Sequence, residues 1–465
     1  MRRPTLLAKA LPRALPAVAA ATGLAAQEEE RGIPGVELGI VVEDRYVPPV
    51  AVRPFTLLIA GDDALGREIE LILARDLDHS DRFAVRDTLP AEFAGGAVQY
   101  ALWEQFQVDW LVAGTLEGDA TGEGRILTVE LHDVVYGSLH ERERFVLPEP
   151  GSADFRMAVH AVSDALVEWV SGERGMAATR VVLAMRAFGE ERGKELYVVD
   201  ADGENLQRLT WDQSIVASPT WSPDGTRIAY TSWKSGVPRL YERDLETGRD
   251  RELVPGGHGH QLTPSYHPDG HTVAFSVIGA EPNGLHTYNI RDGCCMARLG
   301  GGAYHDISPG YSPDGTRLVF NSNRLGVATP QVYVRPAGSG SAELLSPYRF
   351  GEGGYFADPD WSPGSSKVAF AGGIRGRRQA NRYNILVADF EKGDNRLVQL
   401  TREGNNEDPS WAPDDRHIVF KGTRSYGTGV FIVDAATGRT RILVANVLAE
   451  DPDWSPPLAG NGGDG

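Results

Sequence analysis

Two hydrophobic periods divide this chain. Between about residues 36 and 175 the apolar positions change between helical and strand spacing. Leu65, Ile69, Ile72, Leu73 and Leu77 share one face of a helix. A second helix is predicted from Val98 to Phe106 with Trp103 in its apolar stripe, and a third from Ala153 to about Val170, ended by Gly172 and Gly175. Strands are predicted at Val50 to Phe55, at Phe83-Ala84-Val85 and at Trp110 to Gly114. The alternating run Arg125 to Val135 turns at Tyr136-Gly137 and returns over Ser138 to Leu147 as a hairpin. The economical packing for these elements is a small sheet with its helices on one face.

From Thr179 the helical period disappears. Short alternating runs are separated by Asp-Gly, Thr-Gly and Pro-Asp-Gly turns, which puts the domain boundary at about 175–180. One unit shows the pattern. Pro219-Thr220-Trp221-Ser222 is a strand, and Ser222-Pro223-Asp224-Gly225 is a turn whose proline presets φ and whose glycine supplies a positive φ. Arg227 to Thr231, Arg239 to Asp244 and Arg249 to Val254 are the next three strands. The punctuation returns at Tyr266-His267-Pro268-Asp269-Gly270, Tyr311-Ser312-Pro313-Asp314-Gly315, Trp361-Ser362-Pro363-Gly364, Trp411-Ala412-Pro413-Asp414-Asp415 and Trp454-Ser455-Pro456, about 43 to 50 residues apart. Four antiparallel strands at that period make a propeller blade.

The count fixes the closure. Five aromatic-led strands are followed by three more strands each, and the sixth, at Trp454, by none. Conversely, the region opens with three strands that lack an aromatic-led one, at Val181 to Met185, Glu195 to Val199 and Leu206 to Leu209. The expected fold is therefore an α+β N-terminal domain followed by an all-β six-bladed propeller closed by the C-terminal strand, which removes the open edges. Gly364-Ser365 and Asp415 replace the Asp-Gly and the glycine of two turns, which are expected to be the weaker for it.

Composition adds an address. Met1-Arg2-Arg3 followed by the small, apolar stretch Ala14 to Ala26 reads as a secretory signal peptide over residues 1–26. The stretch 27–35 is a charged, turn-rich tail, and 459–465 a second tail. The domains follow as 36–175 and 179–458. Without Arg2, Arg3, Lys9 and Arg13 the net charge moves from −18 to about −22. Such a surface repels nucleic acid and anionic membranes and favours a basic or mixed-charge protein partner. No later stretch has the ~18 apolar residues of a membrane span. The two cysteines, Cys294 and Cys295, are adjacent and either stay reduced or bridge.

The repeated Pro-x-Trp/Tyr-Ser-Pro strands, the segment Leu196-Tyr197-Val198-Val199-Asp200-Ala201-Asp202-Gly203, the terminal Pro-Asp-Trp-Ser-Pro and the α/β domain ahead of the ring together resemble the TolB family of periplasmic propeller proteins. The resemblance implies a periplasmic component of the Tol-Pal complex that binds the lipoprotein Pal through its propeller and TolA through its N-terminal part. It also implies a role in outer-membrane integrity and cell division, a monomeric protein, and contact with other outer-membrane proteins. Pal docks in the family at the loops entering the aromatic-led strands. The corresponding loops here carry His260, Thr263, His305, Ile307 and Ser308. The acidic tail Glu28 to Glu30 has no motif that aligns with the family's TolA-binding segment.

The same entry loops place Asp358, Glu407, Asp408, Glu450 and Asp451 just before Pro359, Pro409 and Pro452, where they are either solvated turn caps or a rim for a cation or a basic side chain. His258-x-His260 lacks a third ligand for a metal. The tryptophans and tyrosines of the repeats are core residues. There is no nucleophile elbow, phosphate loop or paired CxxC, so no catalytic set and no cofactor is expected. An enzyme on a similar ring, such as a metal-dependent uronide lyase, needs clustered histidines, and His267, His271, His286 and His417 are scattered.

Overall fold

The computed structural model describes residues 36–37, 46–59, 61–86, 96–119, 124–186, 193–256, 259–279, 283–300, 304–326, 329–338, 340–347, 354–374, 382–390 and 396–458. The expected signal peptide and both tails lie outside them, as do His258 and Ala303.

The N-terminal region comprises β1 (Val36–Glu37), β2 (Pro49–Val52), β3 (Thr56–Leu57), α1 (Asp63–His79), β4 (Ala84–Arg86), α2 (Tyr100–Gln105), β5 (Trp110–Gly118), β6 (Arg125–Asp133), β7 (Ser138–Leu147) and α3 (Phe155–Ser171). Its sheet runs β4-β2-β5-β6-β7, with β3 beside β5. Strands β4, β2 and β5 are parallel, and β5-β6-β7 is an antiparallel meander. Ile69, Ile72, Leu73 and Leu77 of α1 and Val159, Val162 and Leu166 of α3 are buried against Val112, Leu127, Val129 and Leu131 of the sheet. The helices do not all share one face. Trp103 of α2 packs on Ala51, Leu111 and Val134, because Leu111 and Val112 are both fully buried and give β5 an apolar side toward each layer. Gly172 ends α3 at φ 69°, the left-handed cap that only glycine adopts cheaply.

The ring begins with β8 (Arg180–Met185), β9 (Glu195–Asp200) and β10 (Gln207–Arg208). Blade 2 is β11 (Val216–Trp221), β12 (Arg227–Ser232), β13 (Arg239–Asp244) and β14 (Asp250–Glu252). Blade 3 is β15 (His260–Tyr266), β16 (Thr272–Ile278), β17 (Gly284–Asn289) and β18 (Cys294–Arg298), whose two cysteines are bridged to each other. Blade 4 is β19 (Asp306–Tyr311), β20 (Arg317–Ser322), β21 (Gln331–Pro336) and β22 (Glu343–Leu344). Blade 5 is β23 (Gly354–Trp361), β24 (Lys367–Ile374), β25 (Asn384–Asp389) and β26 (Arg396–Gln399), with β1 parallel to its outer edge. Blade 6 is β27 (Asn405–Trp411), β28 (His417–Arg424), β29 (Gly427–Asp434) and β30 (Thr440–Ala445). The last strand, β31 (Ala449–Trp454), completes blade 1 by pairing antiparallel with β8, Trp454 opposite Val181.

Each repeat aromatic wedges between two blades. Trp221 is buried against Val182, Ala184, Leu196 and Val198 of blade 1. Trp411 sits among Ala369, Ile385 and Val387 of blade 5. Trp454 sits among Ala412, Val419 and Val430 of blade 6 and donates its indole N–H to Thr179 Oγ1 at 2.7 Å. The two irregular turns keep the backbone of the others. Ser365 and Asp415 adopt φ 57° where Gly225, Gly270 and Gly315 adopt 68–70°. Asp415 recovers part of that strain across the blades, accepting from Gly364 N at 3.2 Å and Lys367 Nζ at 2.8 Å. The residue that strains this turn thus also bonds the neighbouring blade.

The N-terminal region docks on the ring through the turns that follow strands 1 and 3. Arg75 and Arg156 meet Asp202 and Glu204 after β9, and Arg439 after β29 meets Asp78 and Asp81. The connection between α3 and β8 is held by Asp164, which accepts from the N–H groups of Ala177 and Ala178 at 2.8 and 2.9 Å. A Cβ at Gly175 would lie 2.1 Å from that carboxylate. We therefore expect Gly175→Ala to expel Asp164 from its clamp and lower the melting temperature by several degrees, measurable by calorimetry.

Candidate functional site: the mouth of the propeller channel

The innermost strand of every blade carries a bulge at the same place. Ladder register breaks between Ala217 and Thr220, Leu262 and Ser265, Ile307 and Gly310, Ala357 and Asp360, Glu407 and Ser410, and Glu450 and Asp453. Each break contains a proline, which has no ladder donor to lose. The residue before that proline is left-handed: Ser218, Thr263, Ser308, Asp358, Asp408 and Asp451 have φ between 47° and 54°. Six non-glycine residues in that region, one of them β-branched, store strain that the closed ring must enforce.

These residues line a cavity of about 150 Å³ on the ring axis. It has two unlike halves. Blades 2, 3 and 4 contribute hydroxyls at Ser218, Thr263 and Ser308, and blades 5, 6 and 1 contribute carboxylates at Asp358, Asp408 and Asp451. One level deeper, Thr220, Ser265, Gly310, Asp360, Ser410 and Asp453 follow the prolines.

Many of these groups are structural clamps. Ser218 N donates to Asp451 Oδ2 at 2.8 Å, Asp451 N to Asp408 Oδ2 at 3.3 Å, and Ser308 N to Thr263 Oγ1 at 3.2 Å. In the deeper tier four side chains accept from the N–H of the next blade's aromatic. Trp221 N reaches Asp453 Oδ2 at 2.8 Å, Trp411 N reaches Asp360 Oδ2 at 2.7 Å, Tyr311 N reaches Ser265 Oγ at 3.3 Å and Trp454 N reaches Ser410 Oγ at 3.1 Å.

Five carboxylates in one narrow channel cannot all hold charge cheaply. Burial, then the neighbouring Asp408 and Asp451, pushes Asp358 well above the usual carboxylate range. Burial also raises Asp408, although Lys421 pulls against it. Burial with Asp408 lifts Asp451 to about 7, burial with Asp453 lifts Asp360 to about 7, and burial lifts Asp453 to about 6. The acidic half therefore carries protons near neutral pH.

The structure brings some of the predicted site residues together. Thr263 and Ser308 are hydrogen-bonded neighbours in the channel. His260 lies exposed at the start of β15, His305 lies exposed just before β19, and Ile307 is half-buried beside Ser308. Of the acidic rim, Asp358, Asp408 and Asp451 face the channel. Glu407 and Glu450 instead approach Lys421 Nζ at 3.7 and 3.9 Å, and Glu450 also pairs with Lys194. The chain's own lysine thus answers part of the acidic rim.

Sequence reasoning named Thr263 and Ser308 and missed Ser218, the deeper carboxylates and the apolar collar. Aligning the residues on either side of each repeat proline would have found the first two. The collar follows from topology: the loops before strand 1 and between strands 2 and 3 open on one face. Trp211, Ile215, Tyr304, Tyr426 and Leu448 are exposed there, and Arg324 stacks on Tyr304 and Tyr333 while pairing with Asp306 at 3.0 Å. This face is opposite the one that receives the N-terminal region.

Strained hydroxyls, buried carboxyls and a collar of exposed apolar side chains mark the mouth of a six-bladed propeller. The described channel lining contains no histidine, cysteine or lysine arranged as a nucleophile or base. Comparison with known proteins gives the family. The TolB amino-terminal domain matches residues 36–139, and the TolB beta propeller domain matches residues 167–458. The Tol-Pal system protein TolB of Xanthomonas campestris pv. campestris (strain B100) is 38% identical over 432 residues, covering 91% of this chain and 93% of that protein. The TolB of Albidiferax ferrireducens is 33% identical over 207 residues, covering 44% of this chain and 46% of its own length, so the chain spans about half of that relative. The crystal structure of TolB from Acinetobacter baumannii shares the fold, with a TM-score of 0.73 at 24% identity over 89% of this chain and 97% of that one. The chain belongs to the TolB family of Tol-Pal system proteins, which are not enzymes. Among the described residues no helix is long and apolar enough to cross a membrane.

Proposed function

We propose that this protein works in the periplasm as the TolB component of a Tol-Pal system. In this reading it binds Pal at the channel mouth and TolA through its N-terminal part, and so supports outer-membrane integrity and cell division. The observation that carries the reading is the division of the ring into two faces. One is occupied by the N-terminal region, and the other presents a polar channel inside an apolar collar, the anatomy of a protein-binding patch. His260, Thr263, His305, Ile307 and Ser308 are the contact residues on the hydroxyl side.

A pull-down with Pal from the same organism tests it. The double variant His305→Ala with Ile307→Ala is expected to weaken capture at least tenfold, about 1.4 kcal/mol, with an unchanged melt. Wild-type protein that ignores Pal while melting cooperatively would sink the reading.

The contact between the Asp358 and Asp408 carboxyls, with Asp451 farther off, favours a second role for the channel, as a site for a divalent cation bridging that pair. Calcium at millimolar concentration should then raise the melting temperature at pH 8 in the wild type and not in Asp358→Asn. An identical shift in both proteins would place the cation elsewhere.

A further inference from the structure

The sixth blade departs from the repeat on the face that meets the N-terminal region. In blades 2 and 4 the turn aspartate is held by a serine: Ser222 Oγ donates to Asp224 and Ser312 Oγ to Asp314, each at 2.5 Å. In blade 6 that serine is Ala412, and the position of Arg227 and Arg317 is taken by His417. Asp414 Oδ1 still accepts the turn's backbone N–H groups, from Arg416 and His417, both at 3.0 Å. Its Oδ2, without a hydroxyl partner, lies 2.6 Å from His417 Nδ1.

The other ring nitrogen points across the domain boundary. His417 Nε2 is 3.2 Å from Oδ2 of Asp81, just beyond the C-terminus of α1. The three side chains are 0%, 1% and 7% exposed for His417, Asp414 and Asp81. A neutral imidazole has one N–H and would leave one of these carboxylates facing a lone pair in a dry interface, whereas the imidazolium donates to both.

We propose that His417, as an imidazolium, is a proton-dependent tie between the N-terminal region and the sixth blade of the propeller. The surrounding charges are consistent with it. From the segment after α1, Arg82 lies 3.9 Å from Asp414 and pairs with Glu173. From the turn itself, Arg416 pairs with Asp434 at 2.8 Å and donates to the Asp81 carbonyl at 2.8 Å. From the turn after β29, Arg439 pairs with Asp81 Oδ1 at 2.8 Å. Arg439 serves Asp81 Oδ1, and Arg82 stands beside Asp414 Oδ2 but beyond hydrogen-bond reach, so among the described residues His417 is the donor that lies within hydrogen-bond distance of both Oδ2 atoms.

Burial works against the charged ring, and Asp414 and Asp81 outweigh it, so its titration lies above the ordinary 6.5. The tie is fully made below pH 6.5 and lost as pH rises through the folded value. The arginine pairs do not titrate in that range. Loss of the tie therefore loosens the Asp81 segment against blade 6 without detaching the connection held by Asp164.

Two measurements test this on the full chain. Nitrogen-15 spectra of the wild-type histidines should show His417 doubly protonated at pH 7. A neutral tautomer at pH 6.5 overturns the proposal, and this reading needs no variant. Spin labels at Leu71→Cys and Glu246→Cys should give one narrow distance distribution at pH 6 that broadens at pH 9. His417→Gln should be broad at both pH values, while His160→Gln, which removes the buried α1–α3 partner of Asp76, should keep the wild-type response. A wild-type distribution unchanged between pH 6 and 9, or a His417→Gln protein that keeps the wild-type response, overturns it.

Discussion

Trp454→Ala is expected to destabilise the protein by about 3–5 kcal/mol, the range for truncating a buried tryptophan, and to do so at the ring's closure. Trp454 fills the boundary between the first and last blades, donates its indole N–H to Thr179, and donates its backbone N–H to Ser410 of blade 6. The strand it ends is the only covalent stretch of blade 1 that comes from the C-terminus. Chain truncation before Ala449 should go further. It exposes the whole inner edge of β8 and leaves Trp221 without the Asp453 carboxylate that caps its N–H. Urea melts followed by tryptophan fluorescence should show a lower midpoint for the substitution and a broadened, less cooperative transition for the truncation. An unchanged midpoint in the truncated chain would contradict a ring latched by its last strand.

The second large effect is a loss of stability as pH rises from about 4 to 8. Asp164, Asp360 and Asp451 are each lifted to about 7 and Asp453 to about 6, all chiefly by burial. A carboxyl whose folded value is raised binds more protons in the native state than in the unfolded one. Its contribution is complete below the unfolded value of 3.8 and is lost as pH climbs through the folded value. Of the histidines, His160 and His417 act in the same direction at the upper end, because they are also raised, their aspartate partners overcoming burial, whereas His79, His132 and His286 are lowered chiefly by burial and act oppositely. The turn aspartates also act against the raised carboxyls. Asp224, Asp314 and Asp414 are held at about 2, burial opposing and hydrogen bonds or His417 prevailing, so their support starts to go as pH falls below 3.8 and is lost as pH falls through about 2. Calorimetry across pH 3 to 9 in low-calcium buffer should give a maximum near pH 4 to 6. Asp453→Asn should flatten the alkaline limb, since an amide can accept the Trp221 bond without a charge to bury. A maximum at pH 8 would contradict this picture.

The ring was legible in the sequence because its information is local. Ser-Pro-Asp-Gly specifies a turn within four residues, the aromatic before it marks the wedge, and a single unfinished copy at Trp454 specifies closure. The N-terminal helices were legible from spacing alone, although the second face of the sheet was not, since Leu111 and Val112 are adjacent and only the layers show that they point apart. The channel was half legible. Asp358, Asp408 and Asp451 announce themselves by charge and Thr263 and Ser308 by the family resemblance of their loops, whereas Ser218 looks like an ordinary strand residue until the bulges bring six positions onto one axis. Lys421 faces Glu407 across the β27–β28 hairpin and was within reach of a register argument, whereas Asp81 beside His417 depends on segments far apart in the chain, and no local pattern carries it. The replacement of glycine by Asp415 looked like wear, and became intelligible only next to Lys367 of the neighbouring blade.

The placement of the channel mouth and the N-terminal region on opposite faces has a mechanical consequence. A pull applied between those faces runs along the strands, so the ladder bonds, which lie across the strands, resist it in shear and must fail many at a time. A force that spreads the blades apart loads the circumference instead, and there the weakest section is the seam of β31 on β8, six residues long. The molecule is therefore built as a stiff axial coupler with one circumferential fastening.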